Sequence, residues 1–144
     1  MAVIKEPKGR AVEVYDAPKE WSVGDSVDLR VSKTQTWHGK TEISKVFDST
    51  IGKKQDAKKL YLSGKDLNLS NPQYENEIIS NIDGLISKGK FYYGENESIQ
   101  IYFKNKDTKP KGMAKVQINH AQLSIYENEP QIIIRQLSDF TLIK

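Results

Sequence analysis

The chain has 144 residues, 37% of them hydrophobic and 28% charged, with a net charge of +3 at pH 7 and no cysteine. That size and balance suit one soluble globular domain with a real core and argue against a disordered chain. Without cysteine, disulfides, thiolate metal sites and cysteine nucleophiles are excluded, and no stretch approaches the roughly 20 apolar residues of a membrane helix. The first ten residues, MAVIKEPKGR, contain no apolar core of signal-peptide length. The expectation is a cytoplasmic protein, secreted only if a leader was removed.

In chain order, residues 1–10 read as a flexible N-terminus and 11–144 as a single domain. Residues 11–15 form a possible short strand. In 23–31, Val27, Leu29 and Val31 alternate with Ser26, Asp28 and Arg30, the pattern of a half-buried strand. A turn at Trp37-His38-Gly39-Lys40 leads to 41–47, where Thr41, Ile43, Lys45 and Phe47 alternate with Glu42, Ser44 and Val46, so the two runs predict a long hairpin. Residues 48–59 are a basic loop and 60–62 a short strand.

Residues 71–88 carry a helix signal. Asn71 can cap, Pro72 suits the first helical position, and Glu75 and Glu77 fall where the helix dipole favours acids. Ile78, Ile79, Ile82, Leu85 and Ile86 recur on one face of a 3.6-residue period, and Lys88-Gly89 offers a stop. Gly84 argues against the helix, and the competing reading is a β-rich 77–93.

The stretch 98–134 reads as two strands joined by a lysine-rich loop. Ile99, Ile101 and Phe103 alternate with Gln100, Tyr102 and Lys104. In the following run, Val116 and Ile118 lie in one phase and Leu123 and Ile125 in the other, a face change that marks a bulge or sharp bend. Residues 131–143 add one or two further strands. A faint echo at an offset of about 89 residues pairs Trp37 with Tyr126 and Ile43 with Ile132; it is what two amphipathic hairpins share by composition, or else a tandem of related β modules.

Taken in order, two long strands, a short one, a helix and two more long strands resemble the OB-fold, a five-stranded Greek-key barrel that binds ligands across strands 2 and 3 and in the loops between strands 1 and 2 and strands 4 and 5. The resemblance runs from about residue 23 to residue 126 and lies in topology, not in a diagnostic motif. It implies a mainly β protein with one helix, about 71–88, between strands 3 and 4, and an extra C-terminal strand. The aromatic and basic residues around GKFYYG and KPKG are similar to those of small phage-type single-stranded DNA-binding proteins, which implies a role in DNA replication; the acidic tail that recruits partners in bacterial single-strand-binding proteins is missing from FTLIK.

Single strands are held by basic grooves that follow phosphates and by aromatic faces that stack on bases. The resemblance therefore implies Trp37, Tyr61, Tyr92 and Tyr102 as stacking faces and Lys40, Lys104, Lys106, Lys109 and Lys111 as phosphate contacts. Each has a plainer reading: a solvated turn for the lysines, burial at a barrel end for Trp37. Catalytic signals are lacking. His38 and His120 stand in no metal-ligand spacing, and there is no phosphate-binding glycine motif or nucleophile elbow. The reading is thus a non-enzymatic protein, with no cofactor or metal, that binds single-stranded DNA in preference to RNA and does not insert in a membrane; a homo-oligomer or protein partner is open. The alternative is an OB-like surface or lipoprotein accessory module that binds a protein or glycan.

Overall fold

Strand pairing, not helical period, governs the middle of the chain. In a computed structural model, which describes residues 1–143, the expected helix at 71–88 is replaced by a single 3-10 turn, Pro72–Tyr74, and the strands β6 (Ile78–Ser80) and β7 (Ile82–Ser87). Asn71 does cap, its side chain accepting from the Gln73 N–H. The helical spacing of the isoleucines has a different cause. Asn81 adopts φ 54° between the two strands and resets their alternation, so Ile79, Ile82 and Ile86 all reach the core at spacings of three and four. Lys88 and Gly89, with φ 50° and 78°, are the centre of a type I′ hairpin turn into β8 (Lys90–Tyr93), not a helix stop. Gly84 is where Phe91 crosses: a Cβ there would lie 2.5 Å from the Phe91 ring.

The protein is mainly β, in two sheets. The larger holds β5 (Leu62–Ser63) through β13 (Phe140–Leu142), with β9 (Glu97–Phe103), β10 (Ala114–Ile118), β11 (Ala121–Tyr126) and β12 (Glu129–Ile134), in the order β13-β10-β7-β8-β9-β12-β11-β6-β5. It is strongly curled. β10 pairs with β7 and β11 with β6 in one constant register, from Ala114 opposite Ile86 to Gln122 opposite Ile78. Segments 78–87 and 114–126 are thus two bent strands whose halves appear towards opposite ends of the sheet. The bend between β10 and β11 is the expected face change, and the Asp139 carbonyl accepts the Asn119 N–H at 2.8 Å there. The concave side holds the core, including Ile79, Phe91, Ile101, Val116, Leu123, Ile132 and Phe140.

The smaller sheet has the order β1-β2-β4-β3, from β1 (Ala2–Ile4), β2 (Val12–Val14), β3 (Asp25–Trp37) and β4 (Lys40–Lys54). Residues 2–4, expected to be part of a flexible end, are therefore a paired strand. The long hairpin is β3–β4, and β4 runs on through the expected basic loop as far as Lys54. The hairpin belongs to the separate sheet and not to the curled one, so the curled sheet, spanning 62–142, lies further along the chain than the expected placement of the β unit at 23–126.

Candidate functional site

Alternation on β8 and β9 fixes an outward wall. Phe91, Tyr93, Ile99, Ile101 and Phe103 point into the core, so Lys90, Tyr92, Ser98, Gln100 and Tyr102 face away from it. Tyr92 and Tyr102 are 43% and 51% exposed. Cross-strand pairing lines up Lys115, Leu85, Tyr92 and Ser98 in one row, and Lys90, Gln100 and Gln131 in the next. Tyr102 lies four residues along β9 from the partner of Tyr92, which separates the two Cα atoms by about 14 Å on the same face.

The wall is electrostatically polar along the strands. At the end where β7 turns into β8 and β9 leaves the sheet lie Lys88, Lys90, Lys104 and Lys115, together with Lys106, Lys109 and Lys111 of the connecting loop. All seven are exposed. Asp107 is the acid among them, and a 3-10 turn at Lys106–Thr108 orders the loop. Asn105 accepts the Asp107 N–H at 3.0 Å, and buried Thr108 donates its hydroxyl back to the Asn105 carbonyl at 2.6 Å. At the other end of the strands, Asp66, Asp83, Glu95 and Glu97 border an open cleft of about 650 Å³ that Lys65 also lines.

The remaining expected residues are placed elsewhere. Trp37, 50% exposed, packs its ring 5.7 Å from that of Tyr126, and His38 stacks on Tyr126 at 4.9 Å. Two type I′ turns dock here, His38-Gly39 of the β3–β4 hairpin against Glu127-Asn128 of β11–β12. Gly39 sits so close to Asn128 that a Cβ would fall 2.2 Å from its Oδ1. The echoed pair Trp37 and Tyr126 are therefore in contact, each opening one of the two turns. Tyr61 is half-buried at the strand bend, its ring 6.4 Å from His120, in a small cleft bordered by Gln117 of β10.

Lys40 requires a correction. It is 4% exposed and ion-paired to Glu13, which is fully buried, so its ammonium faces the junction between the sheets and not a phosphate. Around that pair, the Gln122 amide donates to Glu13 at 3.1 Å and to Asn76 at 3.2 Å, and Arg135 donates to Gln122 at 2.7 Å. Burial opposes ionisation of Glu13, but hydrogen bonds from Glu42, Lys40 and Gln122, with the Lys40 charge, outweigh it and hold the carboxyl below its ordinary range. Glu42 moves the opposite way, raised by burial and by its hydrogen bond to Glu13. The Gln35 amide donates to Glu42 at 2.7 Å.

Lys88, Lys90, Lys115 and Gln100 join the wall without having been named as binding residues from the sequence, although Lys115 closes the lysine-rich loop. The helix reading of 71–88 concealed the β7–β8 turn, while the alternation of 98–104 already put Gln100 beside Tyr102. Among the described residues no cluster of three or more His, Cys, Asp or Glu could hold a metal ion, and no helix is long and apolar enough to cross a membrane. No family model, no curated protein and no solved structure matches the chain.

Proposed function

We propose that residues 78–134 are a five-stranded Greek-key barrel of the OB kind that binds single-stranded nucleic acid, DNA in preference to RNA, on the outer wall of β8 and β9. The pairing supports the architecture. Counting β6–β7 and β10–β11 as one bent strand each, three hairpin-connected strands are followed by a fourth that returns beside the first, the Greek-key order. The fifth, β12, lies between the fourth and third and runs parallel to the third. In this numbering β8 and β9 are strands 2 and 3, the pair that carries the ligand in OB-folds. In this numbering the lysine loop, with its 3-10 turn at Lys106–Thr108, fills the connection between strands 3 and 4, to which the resemblance assigns a helix.

The observation that carries the reading is two half-exposed tyrosines on that wall, continuous with seven lysines at one end. Bases stack on tyrosine faces whatever their sequence, and lysines neutralise phosphates as point charges. The acidic opposite end repels a backbone and confines the footprint to the basic half.

The test is fluorescence anisotropy of a labelled poly-dT strand, with a duplex control, across a salt series. Tyr102→Ala should weaken strand binding by about 1–3 kcal/mol and leave the melting temperature nearly unchanged, because half of the side chain is in water. Replacing Lys104 and Lys106 by glutamine should reduce the slope of log affinity against log salt by about 0.7 for each phosphate that is no longer neutralised. No binding of the strand at low salt, or a slope untouched by both lysine changes, refutes the proposal and leaves a module for a protein or glycan.

A further inference from the structure

We infer that the outer edge of β3 is an interface with a second copy of this chain, joined by antiparallel pairing about a two-fold axis at Leu29. β3 is an edge strand of the smaller sheet. Among the described residues, the backbone groups of residues 26–32 that point away from β4 have no backbone partner. A long unpaired edge is a template for another strand. The ribbon also leaves large apolar side chains in water: Phe47 is 68% exposed, with Val31 and Ile51 near half. β3 runs free of bulges from Val27 to Arg30 opposite Ile51 to Asp48, so its edge is regular there.

The occupant is identified by charge and by face. With Leu29 opposite Leu29 of the second copy, Asp28 meets Arg30 and Val27 meets Val31, each contact twice by symmetry. Both charged residues of 27–31 then face an opposite charge, and the apolar face made by Val27, Leu29 and Val31 continues across both chains. The neighbouring registers fail. Centring on Asp28 sets that carboxylate against itself, and centring on Arg30 sets two guanidinium groups together. Shifting by one residue brings polar positions opposite apolar ones. Asp28 and Arg30 are exposed, and Arg30 already binds Asp48 on its own chain, so its guanidinium would bridge two carboxylates. Pairing of this kind would join the two smaller sheets into one continuous sheet. The inference stands apart from the nucleic-acid reading, because β3 lies outside the curled sheet.

The two charged partners allow a test by exchange. Asp28→Arg alone sets arginine against Arg30 in a homodimer, and Arg30→Asp alone sets aspartate against Asp28; a mixture of the two variants restores both opposite-charge contacts. In sedimentation velocity on the full chain, the wild type should be dimeric, each variant weakened by roughly tenfold or more, and the equimolar mixture recovered. The chain has no cysteine, so Leu29→Cys supplies a single thiol. Opposed Cα atoms about 4.5–5.5 Å apart lie within disulfide reach, and mild oxidation should give a cross-linked dimer. A wild type monomeric at about 100 μM, or a mixture no more dimeric than its parts, overturns the inference; so does a dimer that the cysteine at position 29 fails to cross-link.

Discussion

Lys40→Met separates a structural lysine from a ligand-binding one. The substitution keeps an unbranched stem of similar length and removes the ammonium that neutralises Glu13. Glu13 is fully buried; Gln122 and Glu42 can hydrogen-bond to it but carry no positive charge, and Arg135, the other cation of the cluster, donates to Gln122 and makes no ion pair with Glu13. Breaking a buried ion pair from one side destabilises by about 3–5 kcal/mol, because the remaining charge stays in a poor solvent. At an unfolding entropy of about 2.1 cal/mol/K per residue, the 144-residue chain loses about 1 kcal/mol for each 3 °C, so the melting temperature should fall by about 10–17 °C at pH 7.

The sign of the pH dependence follows from Glu13. Its carboxyl lies below the ordinary range in the folded protein, so its contribution is present above that range and lost as pH falls through the folded value. In Lys40→Met the same carboxyl gains a proton more readily, which relieves the unpaired charge. The melting curves of wild type and variant should therefore converge in acid. Thermal unfolding by circular dichroism from about pH 2 to 8 reads both effects. A melting temperature within about 3 °C of wild type at pH 7, combined with weaker strand binding, would refute the reasoning and return Lys40 to the phosphate contacts.

Two further substitutions act on groups whose roles the fold defines. Glu42→Gln replaces an acid whose pKa is raised with a permanently neutral donor to Glu13; stability in the wild type should fall as pH rises through the raised value, and the variant should lose that fall and be the more stable at neutral pH, which urea titrations at several pH values would check, parallel slopes refuting it. Gly84→Ala distinguishes strand from helix by sign: a helix would gain about 1 kcal/mol, whereas a Cβ 2.5 Å from Phe91 and from the Tyr92 carbonyl should cost about 1–3 kcal/mol of stability in the same titration.

The sequence displayed the alternating strands well because alternation reports one buried and one wet face directly. Residues 98–104 are the clearest case: all three expected inward residues are core, and Tyr102 and Lys104 point out. The bend between Ile118 and Leu123 was also legible, as a change of phase. The same device misled at 78–86, where the left-handed Asn81 converts a period of two into spacings of three and four. Periodicity alone cannot separate those cases; the β-branched Ile78, Ile79, Ile82 and Ile86 and the following Phe91-Tyr92-Tyr93 carry the strand preference that decides them. Lys40 was illegible for another reason. A lysine beside a glycine in a turn reads as solvated, and its partner Glu13 lies 27 positions earlier on a strand that a sequence gives no means of pairing with it.

That buried junction also determines which part of the curled sheet is left open to solvent. Alternation places Gln122 and Ser124 of β11 and Ile133 of β12 on the outward side, yet all three are buried, and Glu13 of β2 accepts from Gln122 at that surface. The smaller sheet therefore covers the outer wall near β11, where the side chains are neutral, and leaves β7 to β10 open, where the lysines and tyrosines are. A cover held by apolar contact alone could slide across a smooth sheet. One held by Glu13, Lys40, Gln122, Asn76 and Arg135 has a single register, because displacement by one residue would leave a buried carboxylate and a buried ammonium unpaired. The junction thus fixes the position of the cover, and with it the boundary of the open wall, which runs between buried Ile133 and its cross-strand partner Tyr102.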